Sequence, residues 1–113
     1  MAKDDYHVIV YKILAYLYVR LKAGEPIDSA FLRHDGVLFQ INEDYWAYIM
    51  DTLLSRGYIR NITVTKPWGQ KIIVTSLESA QITPEGITYL CENSTLRKAM
   101  QYLKEIKDIT PFI

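Results

Sequence analysis

The stretch that decides the fold is RGYIRNITVTKPWGQKIIVTS, Arg56 to Ser76. Ile62 and Val64 alternate with Thr63 and Thr65, and Ile72 and Val74 alternate with Ile73 and Thr75. A period of two marks strands with one covered face, and Pro-Trp-Gly between the runs is a turn. The spacing predicts a β-hairpin with Pro67 at the first central position of its turn. Trp68 at the tip raises a question, because a side chain of that size is usually buried. Either it folds back against the hairpin and shields Ile73 or the helix beside it, or it projects toward a partner.

Upstream of the hairpin the period changes to helical. A first helix is expected from about Asp5 to Ala23, with Asp5 as N-cap and Gly24 as its stop. Tyr6, Val10, Ile13, Leu14, Leu17 and Leu21 form one stripe; Val8, Tyr11, Ala15, Tyr18 and Val19 form a second beside it. Only His7, Lys12, Arg20 and Lys22 make this helix wettable, so it should be covered on two faces. Asp28 caps a short helix over Ser29 to His34, and a loop from Gly36 to Ile41 follows. NEDYWAYIMDTLLSRG opens a third helix capped by Asn42 and ended by Gly57, burying Tyr45, Trp46, Ile49, Met50, Leu53 and Leu54.

Downstream, SAQITPEGITYLCEN contains a short strand and a helix with Thr83 as N-cap and Pro84 as first residue. The last helix, about Thr95 to Asp108, is cleanly amphipathic. Leu96, Ala99, Tyr102, Leu103, Ile106 and Ile109 lie on one side and Arg97, Gln101, Lys104 and Asp108 on the other. It is the natural cover for the back of the first helix.

The order helix, short helix, helix, hairpin, helix is that of a winged helix, in which a β-wing follows a helix-turn-helix. The expected fold is therefore α+β and winged-helix-like, with an added amphipathic C-terminal helix. One domain over 1–113 is expected, with helices and wing in 5–76 and a closing strand and C-terminal helices in 80–108. QITPEG…YL, Gln81 to Leu90, is similar to the exit of the second wing strand in PadR- and MarR-like regulators. ITPEGITYLCENSTLRKAMQYLKEIKD, Ile82 to Asp108, resembles the YjcQ-like family of short proteins from Gram-positive bacteria and their phages. The resemblance implies helices around a small sheet and a phage or prophage setting. The family carries no established activity, and its shorter members have a shorter loop where this chain has Gly36 to Ile41.

Composition narrows function mainly by exclusion. Of 113 residues, 50% are hydrophobic and 23% charged, and thirteen basic residues balance thirteen acidic ones. Net charge therefore points to neither nucleic acid nor membrane. Nine tyrosines are an unusual load. Cys91 is the only cysteine, which excludes a disulfide framework and a cysteine-rich metal site; it is expected to be a small packed residue. No apolar run approaches the ~18 residues of a membrane span, and acids follow Lys3 where a signal peptide would be apolar. A cytoplasmic protein is expected.

Catalysis finds little support. His7 and His34 have no nucleophile at a recognisable spacing, the glycines are scattered singly, and no ligand set for a metal or cofactor is apparent. The chain is expected not to be an enzyme. The third helix exposes Asp44, Tyr48, Asp51 and Ser55, and from Glu43 to Arg56 three acids oppose one base, a net −2. Carboxylates on that face disfavour major-groove reading. From Gly57 to Leu77, by contrast, Arg60, Lys66 and Lys71 meet no acid, a net +3.

Two functions from different classes follow. One is a protein-interaction adaptor or phage assembly component docking through Trp68 and the acidic face of Asp44, Tyr48 and Asp51. The other is a DNA-binding regulatory protein whose wing contacts phosphates through Arg60, Lys66, Trp68 and Lys71. Tyr11 and Tyr18 carry a separate pair of alternatives: packing beneath the C-terminal helix, or a homodimer seam with the partner's copy of it.

Overall fold

The computed structural model describes residues 2–69 and 71–106. Its elements are α1 (Tyr6–Ala23), α2 (Ser29–Leu32), α3 (Glu43–Ser55), β1 (Ile59–Arg60), β2 (Thr63–Thr65), β3 (Ile73–Thr75), β4 (Gln81–Ile82), α4 (Pro84–Glu92) and α5 (Ser94–Glu105). A single 3-10 turn, Leu77–Ser79, leads into β4. This is the expected α+β, winged-helix-like arrangement. Helix α2 stops two residues short of the expected His34, and α5 begins at Ser94 on the Asn93 cap. The expected last residues of α5, Asp108 and Ile109, lie outside the described residues.

Helix α1 is the axis of the molecule. Every residue from Val8 to Leu17 is buried, as two apolar stripes require. One side packs into the main core with Leu32, Trp46, Ile49, Met50 and Leu53. The opposite side, Val8, Tyr11 and Ala15, is closed by Ala99 and Leu103 of α5. Two members of α1 depart from expectation. Lys12 is buried at 4% exposure, its ammonium donating to the Leu38 carbonyl at 3.0 Å, and Leu21 is 45% exposed. The Gly36 to Ile41 loop supplies that carbonyl and sends Leu38 and Phe39 into the core.

Caps hold the helix ends. The Asn42 carboxamide accepts from the Asp44 and Tyr45 amides, and the Asp28 carboxylate accepts from Ala30. The Thr83 hydroxyl accepts from Gly86 N and donates to the Gly57 carbonyl, tying the start of α4 to the end of α3. That approach needs Gly86: a Cβ there would lie 2.2 Å from the Tyr58 carbonyl oxygen. Asp5 occupies the N-cap of α1 without capping it; its carboxylate instead accepts from the Ala2 amide.

The sheet is divided. Strand β1 pairs antiparallel with β4, Ile59 opposite Ile82, while β2 pairs with β3, Val64 opposite Val74. Asn61, at φ +75°, breaks the chain between β1 and β2 and re-aims the hairpin. The hairpin register corrects the expected turn. Thr65 pairs with Ile73, so Gly69 lies midway between the paired residues. Pro67 is therefore two residues before the midpoint, and Gly69 supplies the positive φ, +60°.

Candidate functional site

The wing lies along α3. Val64 and Val74 are half-buried toward the body, and Ile72 closes the seam beside Ala47 and Asp44. This placement brings together the two surfaces that the sequence set apart as rivals. The Lys66 ammonium is 2.9 Å from the Asp51 carboxylate, and the Lys71 ammonium is 3.8 Å from that of Asp44. Asp44 and Asp51 are seven residues apart, about 10 Å along the helix, so the two pairs brace both sides of the hairpin connection. The pairs differ in strength. Asp51 is sheltered at 19% side-chain exposure, whereas Lys71 and Asp44 are both mostly in water, where such a pair contributes little.

Beyond the braces stands Trp68, 99% exposed. It does not fold back on the hairpin, and Ile73 remains 46% exposed without its shelter. Arg60 is not part of this group. It belongs to β1, and its Nε donates to the Gln81 Oε1 of β4 at 3.2 Å, an acceptor that the Asn61 amide also uses at 3.4 Å.

Tyr48, 58% exposed on α3, joins the wing ridge to an aromatic cluster that the sequence did not reveal. Tyr58 and Tyr89 stack at 4.3 Å with their planes 11° apart, and Tyr6 meets His7 edge-on at 5.1 Å. Burial raises the Tyr6 hydroxyl pKa above its ordinary value. The neighbouring hydroxyls of Tyr89, Tyr48 and Tyr58 add to the rise, and the Arg56 cation opposes it. Tyr89 is raised in the same way, by burial first and then by Tyr58, again against Arg56. Four tyrosines and an arginine thus share one surface, a composition enriched at protein interfaces. They come from α1, α3, the α3–β1 joint and α4. The only advance signal was the tyrosine count.

Other expected site residues fall elsewhere. Tyr11 is buried against α5, and Tyr18 is half-buried with the Lys22 ammonium 4.4 Å from its ring centre. Both line an open cavity between α1, α4 and α5. Cys91 is exposed at that cavity, not packed, because the turn at Asn93 leaves the end of α4 open to solvent. His34 packs near Trp46 at 6.1 Å, with Nδ1 3.2 Å from the Ile41 carbonyl oxygen. Among the described residues no three His, Cys, Asp or Glu are grouped to hold a metal ion, and no helix is long and apolar enough to cross a membrane.

A helix-turn-helix core, a braced hairpin and a C-terminal helix closing the back of α1 define a winged-helix-like protein. The chain belongs to the YjcQ family: a family model described as YjcQ protein matches residues 11–109. No curated protein and no solved structure matches it.

Proposed function

We propose that the chain is a non-enzymatic protein-binding module, an adaptor or assembly component of phage or prophage type, which docks through the wing ridge. The observation that carries this is the contrast at the wing tip. Trp68 is 99% exposed, while Lys66 beside it pairs with Asp51 at 2.9 Å and Lys71 stands 3.8 Å from the Asp44 carboxylate. An exposed tryptophan on a braced turn offers a large apolar anchor that loses little conformational freedom on binding. Tyr48 and the Tyr6, Tyr58, Tyr89 and Arg56 cluster extend the surface around it.

The DNA alternative needs Lys66 and Lys71 to face phosphates. Both already meet carboxylates, and the same carboxylates would repel a phosphate backbone. The discriminating experiment titrates a labelled mixed-sequence duplex at low and moderate salt with wild type and with a Lys66→Ala, Lys71→Ala variant. The module reading expects no salt-sensitive binding by either protein. It also expects partner capture that Trp68→Ala abolishes while the melting temperature is unchanged. Salt-sensitive duplex binding lost in the double variant would overturn it in favour of a DNA-binding regulator.

A further inference from the structure

The cavity between α1, α4 and α5 has a volume of about 610 Å³. That falls within the range of about 300–1,000 Å³ typical of small-ligand sites. Its walls are largely apolar, with Ala15 and Val19 from α1, Leu90 from α4, and Leu96 and Met100 from α5. Among the described residues that line it Arg97 is the only charged one, and none is a carboxylate. The Arg97 Nε donates to the Cys91 carbonyl at 3.0 Å, which fixes the guanidinium at the cavity. Its terminal nitrogens have no acceptor among the described residues. Tyr11 of α1 and Cys91 of α4 also line the cavity, and the Tyr11 hydroxyl pKa is raised, first by burial and next by the nearby Cys91 thiol.

We infer that this cavity binds a small apolar molecule carrying a single acidic head group, such as a medium-chain carboxylate, with the chain along the α1–α5 wall and the head on Arg97. A neutral or cationic molecule of the same shape leaves the guanidinium unpaired or repels it. Apolar area gives affinity here, and the single cation gives charge preference. The site is separate from the wing ridge and does not depend on the function proposed for it.

Cys91 provides the assay, since it is the only cysteine and lies in the cavity wall. The rate of its reaction with a chromogenic disulfide is followed while decanoate, decanol or decyltrimethylammonium is titrated below micelle formation. Decanoate is expected to slow labelling saturably, binding about tenfold more tightly than decanol, the discrimination expected of one charge-assisted hydrogen bond. The ammonium compound is expected not to protect. Arg97→Gln should bring decanoate down to decanol's affinity while decanol is unaffected. Val19→Trp, which fills the cavity, should remove protection by both.

Absence of protection by decanoate overturns the inference, and so does equal protection by the cationic probe. It is also overturned if labelling slows with protein concentration alone and sedimentation gives a dimer. In that case a second copy, meeting Tyr11, Tyr18 and α5, is the occupant.

Discussion

Helix α1 and the wing are built on opposite principles. In α1 ten consecutive residues, Val8 to Leu17, are buried. In the wing, β2 and β3 each bury only the middle of three residues, and only in part. Deep burial holds the first; a thin apolar seam of Val64, Ile72 and Val74, with a small contribution from the Lys66–Asp51 pair, holds the second. The difference shows where the chain places its stability and where it presents chemistry. Trp68 stands on this sparsely packed segment, and beside the seam of Val64, Val74 and Ile72 the hairpin has the Lys66–Asp51 pair and the weaker approach of Lys71 to Asp44.

The largest effect should come from the buried side of this contrast. Leu14 is 0% exposed within the main core, so Leu14→Ala removes its contacts and leaves a cavity. A loss of about 3 kcal/mol in urea unfolding is expected. A loss under about 1 kcal/mol would mean that α1 can shift to refill the space, and the picture of a rigid axis would fail.

An intermediate effect concerns the aromatic cluster between the two regions. Burial raises the hydroxyl pKa values of Tyr6 and Tyr89 above the ordinary 10.0. The folded state therefore holds these protons more tightly than the unfolded chain does. Their stabilising contribution is complete below pH 10 and is lost as pH rises through the elevated folded values. Thermal melts between pH 8 and 12 should show stability falling above pH 10. The fall should be shallower in Tyr6→Phe, Tyr89→Phe. An unchanged slope in the double variant would assign the alkaline loss to Tyr11 and Tyr45, whose values burial also raises.

Much of this architecture was legible because it is local. Two apolar stripes on one helix demand two covers, and Asn42 and Thr83 announce helix starts by their own hydrogen bonds. The hairpin was legible from alternation, but its register was not. The choice between a turn centred after Pro67 and one centred on Gly69 depends on how Val64 and Val74 meet the body. The exposure of Trp68 hung on the same long-range packing. The charge pairing had a signal that was present and read separately: a net −2 helix is followed directly by a net +3 hairpin. Complementary consecutive elements are candidates for each other before they are candidates for a partner. The tyrosine cluster had no local signal, since Tyr6 and Tyr89 are brought together only by the packing of α1 on α4.

The smallest effect tests the brace itself. Lys66 is 60% exposed and Asp51 19%, so a double-mutant cycle with Lys66→Ala and Asp51→Ala should give a coupling of only about 0.5 kcal/mol. High salt should reduce it further by screening the exposed partner. The informative readout is local. Amide exchange at Thr63 to Thr65 should quicken in either single variant while the amides of α1 stay protected, because the wing can open without unfolding the core. Zero coupling with unchanged exchange would mean that Val64, Val74 and Ile72 alone orient the hairpin. Lys66 would then be free of Asp51 in solution, and the DNA-binding alternative would regain the cation that the ion pair now withholds from it.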